Sequence, residues 1–259
     1  MHTTHARRVR LLKCLLALVS AGSYAALYTA RAVVAPSPAG AQYPAAKHEQ
    51  GERFDEVVRG DFFAGMMGDD ARLDRGMKFC EELLAKNPKH AEALVWHGGG
   101  LLTRASRAYA KGDAARGDQL WERGLREMDE AVAIAPGHMG IKIGRSATLI
   151  GLAQSGWDAS DARGRALLES ALADYETVYR WRRPDFSALT EHSRGELLFG
   201  LASGWSILGE HRKARAYLRL ILAECKETSY EAEARGWLRG TPNTVVRHDC
   251  RGCHVRPSR

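Results

Sequence analysis

Apolar residues recur at intervals of three and four along most of the chain, a spacing that places them on one face of an α-helix. Runs that alternate apolar and polar residues, as half-buried strands do, are scarce. We therefore predict an all-α protein. The predicted helices cover residues 53–64, 70–86, 90–110, 117–134, 138–154, 161–180, 186–207, 210–225 and 228–238.

Two helical segments repeat each other at a distance of 48 residues. Residues 75–90 read RGMKFCEELLAKNPKH, and residues 123–138 read RGLREMDEAVAIAPGH. A third proline, Pro184, follows 48 residues after the proline of the second segment. Helix pairs that recur in this way are typical of an α-solenoid, because each pair has an apolar face that only the next pair covers. Gly76 and Gly124 fall inside helices, where glycine costs about 1 kcal/mol relative to alanine, so we expect close helix approach there.

The repeated body resembles the tetratricopeptide-repeat (TPR) family. The resemblance is carried by AEAL at residues 91–94 and by LLFGLASGWSILGEHRKA at residues 197–214, and it covers roughly residues 73–237. It implies a TPR-like helical-repeat solenoid over residues 53–238 that docks a protein partner. In that family, small residues at positions such as Ala202, Gly209 and Ala214 let paired helices nest, and Ile221 fits this less well.

The repeat is longer than the TPR period of about 34 residues. We expect the extra length in two segments between the helices of one repeat, residues 111–117 and 154–161. Residues 96–100, WHGGG, are unusual for a helix and predict tight packing against a neighbouring helix. The alternative is a smooth surface on which a flat ligand lies.

The amino terminus has the parts of an export signal. Four basic residues precede a mostly apolar run at residues 15–30, and the small residues 39–41 precede Gln42. We predict a signal peptide over residues 1–41, a linker over residues 42–52, and a periplasmic location for the rest. An uncleaved anchor in the inner membrane is the alternative, because residues 14–35 are long enough to cross a bilayer and carry only one charge, Arg31.

The net charge of the whole chain, +7, overstates how basic the exported part is. Residues 1–41 hold five basic residues and no acidic one, so the remainder carries +2. A charge this small argues against nucleic-acid binding, which needs a strongly basic face. We also find no hydrolase motif and no phosphate-binding glycine loop, and we expect no enzymatic activity.

The end of the chain carries the most specific motif. Cys250, Cys253 and His254 form Cys-x-x-Cys-His, the attachment site of c-type haem, in which two thiols add across the two vinyl groups of one porphyrin and the adjacent imidazole ligates the iron. We predict one covalent haem c per chain, with His254 as the metal ligand, in an irregular tail over residues 239–259. Such attachment requires export, so the motif and the predicted signal peptide support each other.

Other readings of this tail stay open. His248, Cys250, Cys253 and His254 are four candidate zinc ligands, although their crowding into seven residues strains a tetrahedral site. The two cysteines alone form a dithiol or a disulfide in a third reading. No distal haem ligand is identified by the sequence, and the candidates are His97, His138, Met139, His192 and His211.

We therefore expect an exported helical-repeat protein that carries one haem c in electron transfer or haem-linked sensing. The alternative is a periplasmic TPR scaffold whose tail binds zinc or forms a disulfide. A solute-binding accessory subunit is a third candidate, and a deep apolar cavity would favour it. Cys80 and Cys225 are each expected inside a helix, either as buried hydrophobic residues or as a disulfide pair.

Overall fold

The structure, a computed structural model, describes residues 53–155, 157 and 161–248. Within these residues it contains helices and no β-strand, which confirms the prediction of an all-α protein. The α-helices are α1 (Phe54–Met66), α2 (Asp70–Lys86), α3 (Ala91–Ala110), α4 (Ala114–Ile134), α5 (Met139–Gln154), α6 (Ala162–Arg182), α7 (Glu191–Ile207), α8 (His211–Glu224) and α9 (Ser229–Arg239). A 3-10 helix, Arg183–Ala188, joins α6 to α7.

The helices of the described residues pack in pairs. The strongest contacts join α1 to α2, α3 to α4, α5 to α6, and α7 to α8. The first helix of each pair also contacts the first helix of the next, so α1, α3, α5 and α7 form one layer. The final helix, α9, packs on α8.

Side-chain caps define most of the helix starts. At the start of α2, α4 and α6, the side chain of an aspartate accepts a hydrogen bond from the backbone N–H three residues later, as is usual at a helix N-terminus. The two histidines of the repeated segment have the same role in α3 and α5. Nδ1 of His90 accepts the N–H of Ala93 at 3.2 Å, and Nδ1 of His138 accepts the N–H of Ile141 at 3.3 Å.

Close helix approach at the repeated glycines is confirmed. A Cβ atom on Gly98 would lie 2.7 Å from the carbonyl oxygen of Gly124, and a Cβ on Gly124 would lie 2.8 Å from that of Gly98. A Cβ on Gly100 would collide with Met77, and one on Gly76 would lie 3.0 Å from the ring of Phe62. Tight packing therefore accounts for Gly98 and Gly100 of the WHGGG segment.

Two expectations are corrected, and one open alternative is decided. The segment 111–117 is not an insertion, because Asp113 caps α4 and the connection is a tight turn in which Gly112 has φ +81°. In this repeat the extra length lies in α3 and α4, which have 20 and 21 residues. The second expected insertion, residues 154–161, lies partly outside the described residues. The helix expected at 186–207 begins at Glu191, since the 3-10 helix occupies the residues before it. Cys80 and Cys225 are buried free thiols, so they do not pair.

Candidate functional site

A groove of about 1480 Å³ is lined by side chains from the layer of α1, α3, α5 and α7 and by further side chains from α4 and α6. Aromatic residues form part of its wall, among them Phe63, Trp96, Trp121 and Tyr175. Small-molecule sites have volumes of about 300–1000 Å³, so the groove has room for a ligand as large as a porphyrin.

Helix α5 contributes a strip of small residues to the groove, which we call the α5 floor: Gly140, Gly144, Ala147 and Gly151. Their spacing of four, three and four residues places them on one helix face. A Cβ atom on Gly151 would meet nothing within 4 Å, and one on Gly144 would meet only Val95, at 3.6 Å. Packing inside the described residues therefore does not require glycine at these two positions.

After α9 the chain returns to the groove. Residues 245–248, which we call the strap, contact α7, α9 and the end of α5. The N–H of Val246 donates to Oγ of Ser206 at 2.7 Å, and Arg247 donates to the carbonyl of Gln154 at 3.1 Å. The side chain of Val246 is buried in the same apolar cluster as Phe199, Leu201 and Leu208. The strap is thus fixed to the helical body by backbone, side-chain and apolar contacts.

His248 is the most tightly held residue of the strap. Its Nδ1 lies 3.0 Å from Glu233, its Nε2 lies 3.1 Å from Glu196, and its ring stacks on Phe199 with the centroids 4.4 Å apart. Burial alone would lower the pKa of His248, but the hydrogen bonds to the two carboxylates outweigh it and raise the pKa to about 9. Both nitrogens therefore donate to carboxylates, and a metal ion would have to displace one of these hydrogen bonds to bind the ring.

The three predicted haem-attachment residues, Cys250, Cys253 and His254, lie outside the described residues. The last described residue, His248, is two positions before Cys250 and lines the groove.

The candidate distal ligands separate into two groups. His97 is fully buried and lies outside the groove lining, with Nδ1 2.5 Å from Glu127. His211 is also absent from the lining. His138, Met139 and His192 all line the groove, and Nδ1 of His192 is 2.8 Å from the hydroxyl of Tyr230.

His138 presents a buried donor without an acceptor. Burial lowers the pKa of His138, so the ring is neutral, and because Nδ1 accepts a hydrogen bond, the proton is on Nε2. Nε2 is buried and makes no hydrogen bond. The nearest carboxylate oxygen, of Glu92, is 3.8 Å away, beyond hydrogen-bond distance. A protonated Nε2 does not ligate iron, so His138 is suited to donate to an anionic or carbonyl oxygen in the groove.

Glu196, Glu233 and Phe199 were not identified as site residues from the sequence. Glu196 and His248 are 52 positions apart, and a contact over that distance leaves no local pattern. The only available signal was the position of Glu196 on the predicted helix before the WSILG segment, which does not distinguish it from other surface carboxylates.

Comparisons with known proteins add no assignment: no protein-family model, curated protein or solved structure matches the chain. Within the part of the chain that the structure describes, no helix is both long enough and apolar enough to span a membrane. The same residues contain no cluster of three or more histidine, cysteine or acidic side chains arranged to hold a metal ion.

Proposed function

We propose that this is an exported helical-repeat protein that carries one covalently attached haem c and acts in electron transfer or haem-linked sensing. The observation that carries the proposal is the strap. It holds the residue two positions before Cys250 at the edge of a groove with room for a porphyrin. A motif on a tail with no contact to the body would have no such relation to a binding surface.

The chemistry of attachment requires three residues. The S–H bonds of Cys250 and Cys253 each add across one vinyl C=C bond, forming one S–C and one C–H bond and consuming the π bond, with no oxidant or reductant needed. His254 supplies the proximal imidazole. The bound haem provides a one-electron couple, and a protein partner that donates or accepts a single electron completes the reaction.

Two features of the groove fit this group. The α5 floor offers an open face against which a flat ring packs without displacing a side chain. The buried Nε2–H of His138 and the buried hydroxyl of Ser203 line the groove and have no hydrogen-bond partner, so they offer polar contacts to haem propionates.

The repeats are proposed to form a TPR-like solenoid that docks the partner. The sequence period, the shared capping role of His90 and His138, and the layer formed by the first helix of each pair support this architecture. The predicted signal over residues 1–41 supports a periplasmic location, with an inner-membrane anchor if the signal stays uncleaved. We do not propose an enzymatic activity.

A pyridine haemochrome spectrum and a haem-stained denaturing gel test the proposal. The protein is expressed with its own amino terminus in a host that has cytochrome c maturation machinery. We expect a c-type α band, and we expect Cys250→Ala together with Cys253→Ala to abolish covalent haem. Cys225→Ala is the matched control and should retain it. A colourless wild-type protein would overturn the proposal.

Thiol counting gives a second readout. Burial raises the pKa of both described cysteines, to about 12 for Cys80, so neither should react in the native protein. If haem occupies the motif and the signal is removed, denaturation should expose two reactive thiols. A tail with a free dithiol gives four.

The groove also favours a second candidate, a periplasmic scaffold that binds an extended peptide or a solute along α1, α3, α5 and α7. Its tail would bind zinc or form a disulfide. For His248 to be one of the four zinc ligands, the metal ion would have to displace one of its hydrogen bonds to two carboxylates. A colourless protein containing stoichiometric zinc would establish this candidate instead.

A further inference from the structure

Building on the proposed function, we propose that the haem lies with one ring face on the α5 floor. Its thioether edge would be at the C-terminal end of α5 and its propionate edge toward His138. No single feature carries this inference. It rests on unexplained glycines, on the place where the strap meets α5, and on a buried donor at the other end of the same helix.

Gly144 and Gly151 of the α5 floor lack the packing explanation that applies to six other glycines of the fold. Gly98, Gly117, Gly124, Gly195, Gly200 and Gly204 each face an atom less than 3.0 Å from a hypothetical Cβ. Gly151 faces no atom within 4 Å, and Gly144 faces Val95 at ordinary contact distance. Glycine inside a helix costs about 1 kcal/mol relative to alanine, so a requirement outside the described packing best accounts for both. Close approach of a flat ligand is such a requirement.

The strap meets α5 at its C-terminal end. Arg247 donates to the carbonyl of Gln154, the last residue of α5, and Gln154 is three residues beyond Gly151. We assign the thioether edge of the haem to this end of α5 because the motif follows the strap in sequence. From Gly144 to Gly151 the helix rises about 10 Å, comparable to the width of a porphyrin ring.

The propionates are then directed along α5 toward its N-terminus, because they are on the edge of the ring opposite the linked vinyl groups. The unpartnered Nε2–H of His138 is at this end, together with the positive end of the α5 dipole. Arg53 and Arg59 also line the groove, although both are near Asp55, at 2.9 and 3.8 Å. The carboxylate of Glu92 lies near His138 and would repel a second propionate at this end of α5. We therefore assign one propionate to His138 and the other to solvent or Ser203.

The test compares Gly144→Leu and Gly151→Leu with Gly236→Leu. Gly236 is also inside a helix and open at its Cβ, but it does not line the groove. Leucine raises helix propensity at all three sites, so the unfolding temperature should not fall. Each groove variant should keep covalent haem on a stained gel. Its Soret circular dichroism should drop by at least half, and oxidation of its ferrous haem by hexacyanoferrate(III) should be at least ten times faster.

Equal Soret dichroism and equal oxidation rates, within twofold, in wild type and all three variants would overturn the placement while leaving the covalent haem intact. A wild-type protein without haem would overturn the proposed function itself, and the placement with it. A change in Gly236→Leu as large as in the groove variants would also overturn the placement, because the effect would then not come from the groove.

Discussion

The glycines of α3 and α4 and those of α5 are the same residue type used for different purposes. Between α3 and α4, Gly98 and Gly124 let two backbones touch, and any Cβ there would collide with a carbonyl oxygen. On α5, Gly144 and Gly151 face a groove, and a Cβ there would have room. Packing within the described residues explains the first pair and does not explain the second. Gly236 is also open at its Cβ and does not line the groove, so an open glycine is informative only where it lies in the groove lining.

The largest expected effect is a loss of stability when Gly124 is replaced. Gly124→Val places a branched side chain against the carbonyl of Gly98 and should lower the free energy of unfolding by about 3 kcal/mol, the upper range for overpacking. Urea unfolding followed by circular dichroism measures this loss. Gly236→Val, in an open position of α9, is the control and should change stability by less than about 0.5 kcal/mol. Equal stabilities of the two variants would contradict the close helix contact.

The strap is held beside the groove by the bond between His248 and Glu196, and Glu196→Gln should weaken this attachment. The substitution removes the charged partner of Nε2 of His248, an interaction of about 1.5–3 kcal/mol for a hydrogen bond between charged groups. We expect the amide of Val246, which donates to Ser206, to exchange with deuterium at least ten times faster. Glu210→Gln, on an exposed side chain, should leave that exchange rate unchanged. No acceleration in Glu196→Gln would show that the carboxylate does not hold the strap.

The local parts of this architecture were predictable, and the assembled parts were not. The helix period and the spacing of Pro88 and Pro136 are local properties, and the predicted helices agree with the structure except at the turn before α4 and the 3-10 helix before α7. The groove is lined by residues of six helices, many of them far apart in sequence. The bonds of the strap to Ser206, Gln154 and Glu196 join residues separated by 40 to 93 positions, which no short pattern encodes. Haem attachment itself stays a prediction from the motif.

His90 and His138 have the same capping role, but only His138 lines the groove, so the two residues separate the effect of capping from an effect on the groove. His90→Asn and His138→Asn each keep a side-chain acceptor at the N-cap, so each should lower the free energy of unfolding by no more than about 1 kcal/mol. Only His138 lines the groove, so only His138→Asn should reduce the Soret circular dichroism of the haem protein. An equal reduction in both variants would argue against a specific role for Nε2.

The smallest expected effect is a gain in stability rather than a loss. Gly151→Ala adds a methyl group that meets nothing within 4 Å and restricts the unfolded chain, so it should raise the free energy of unfolding by about 0.5 kcal/mol. The measurement is made on protein without haem, by chemical denaturation. Destabilisation would show that packing does require glycine at this position, and the contrast with Gly124 would then disappear.

The strap also dictates an order of events during maturation. Val246, Arg247 and His248 bond to residues 40, 93 and 52 positions earlier, so the strap acquires its contacts only after α5 and α7 are in place. Closing loops this long is entropically slow relative to forming the helix pairs. The strap therefore docks after the helical body has assembled. On the proposed function, an enzyme that attaches haem to Cys250 and Cys253 has this interval to act.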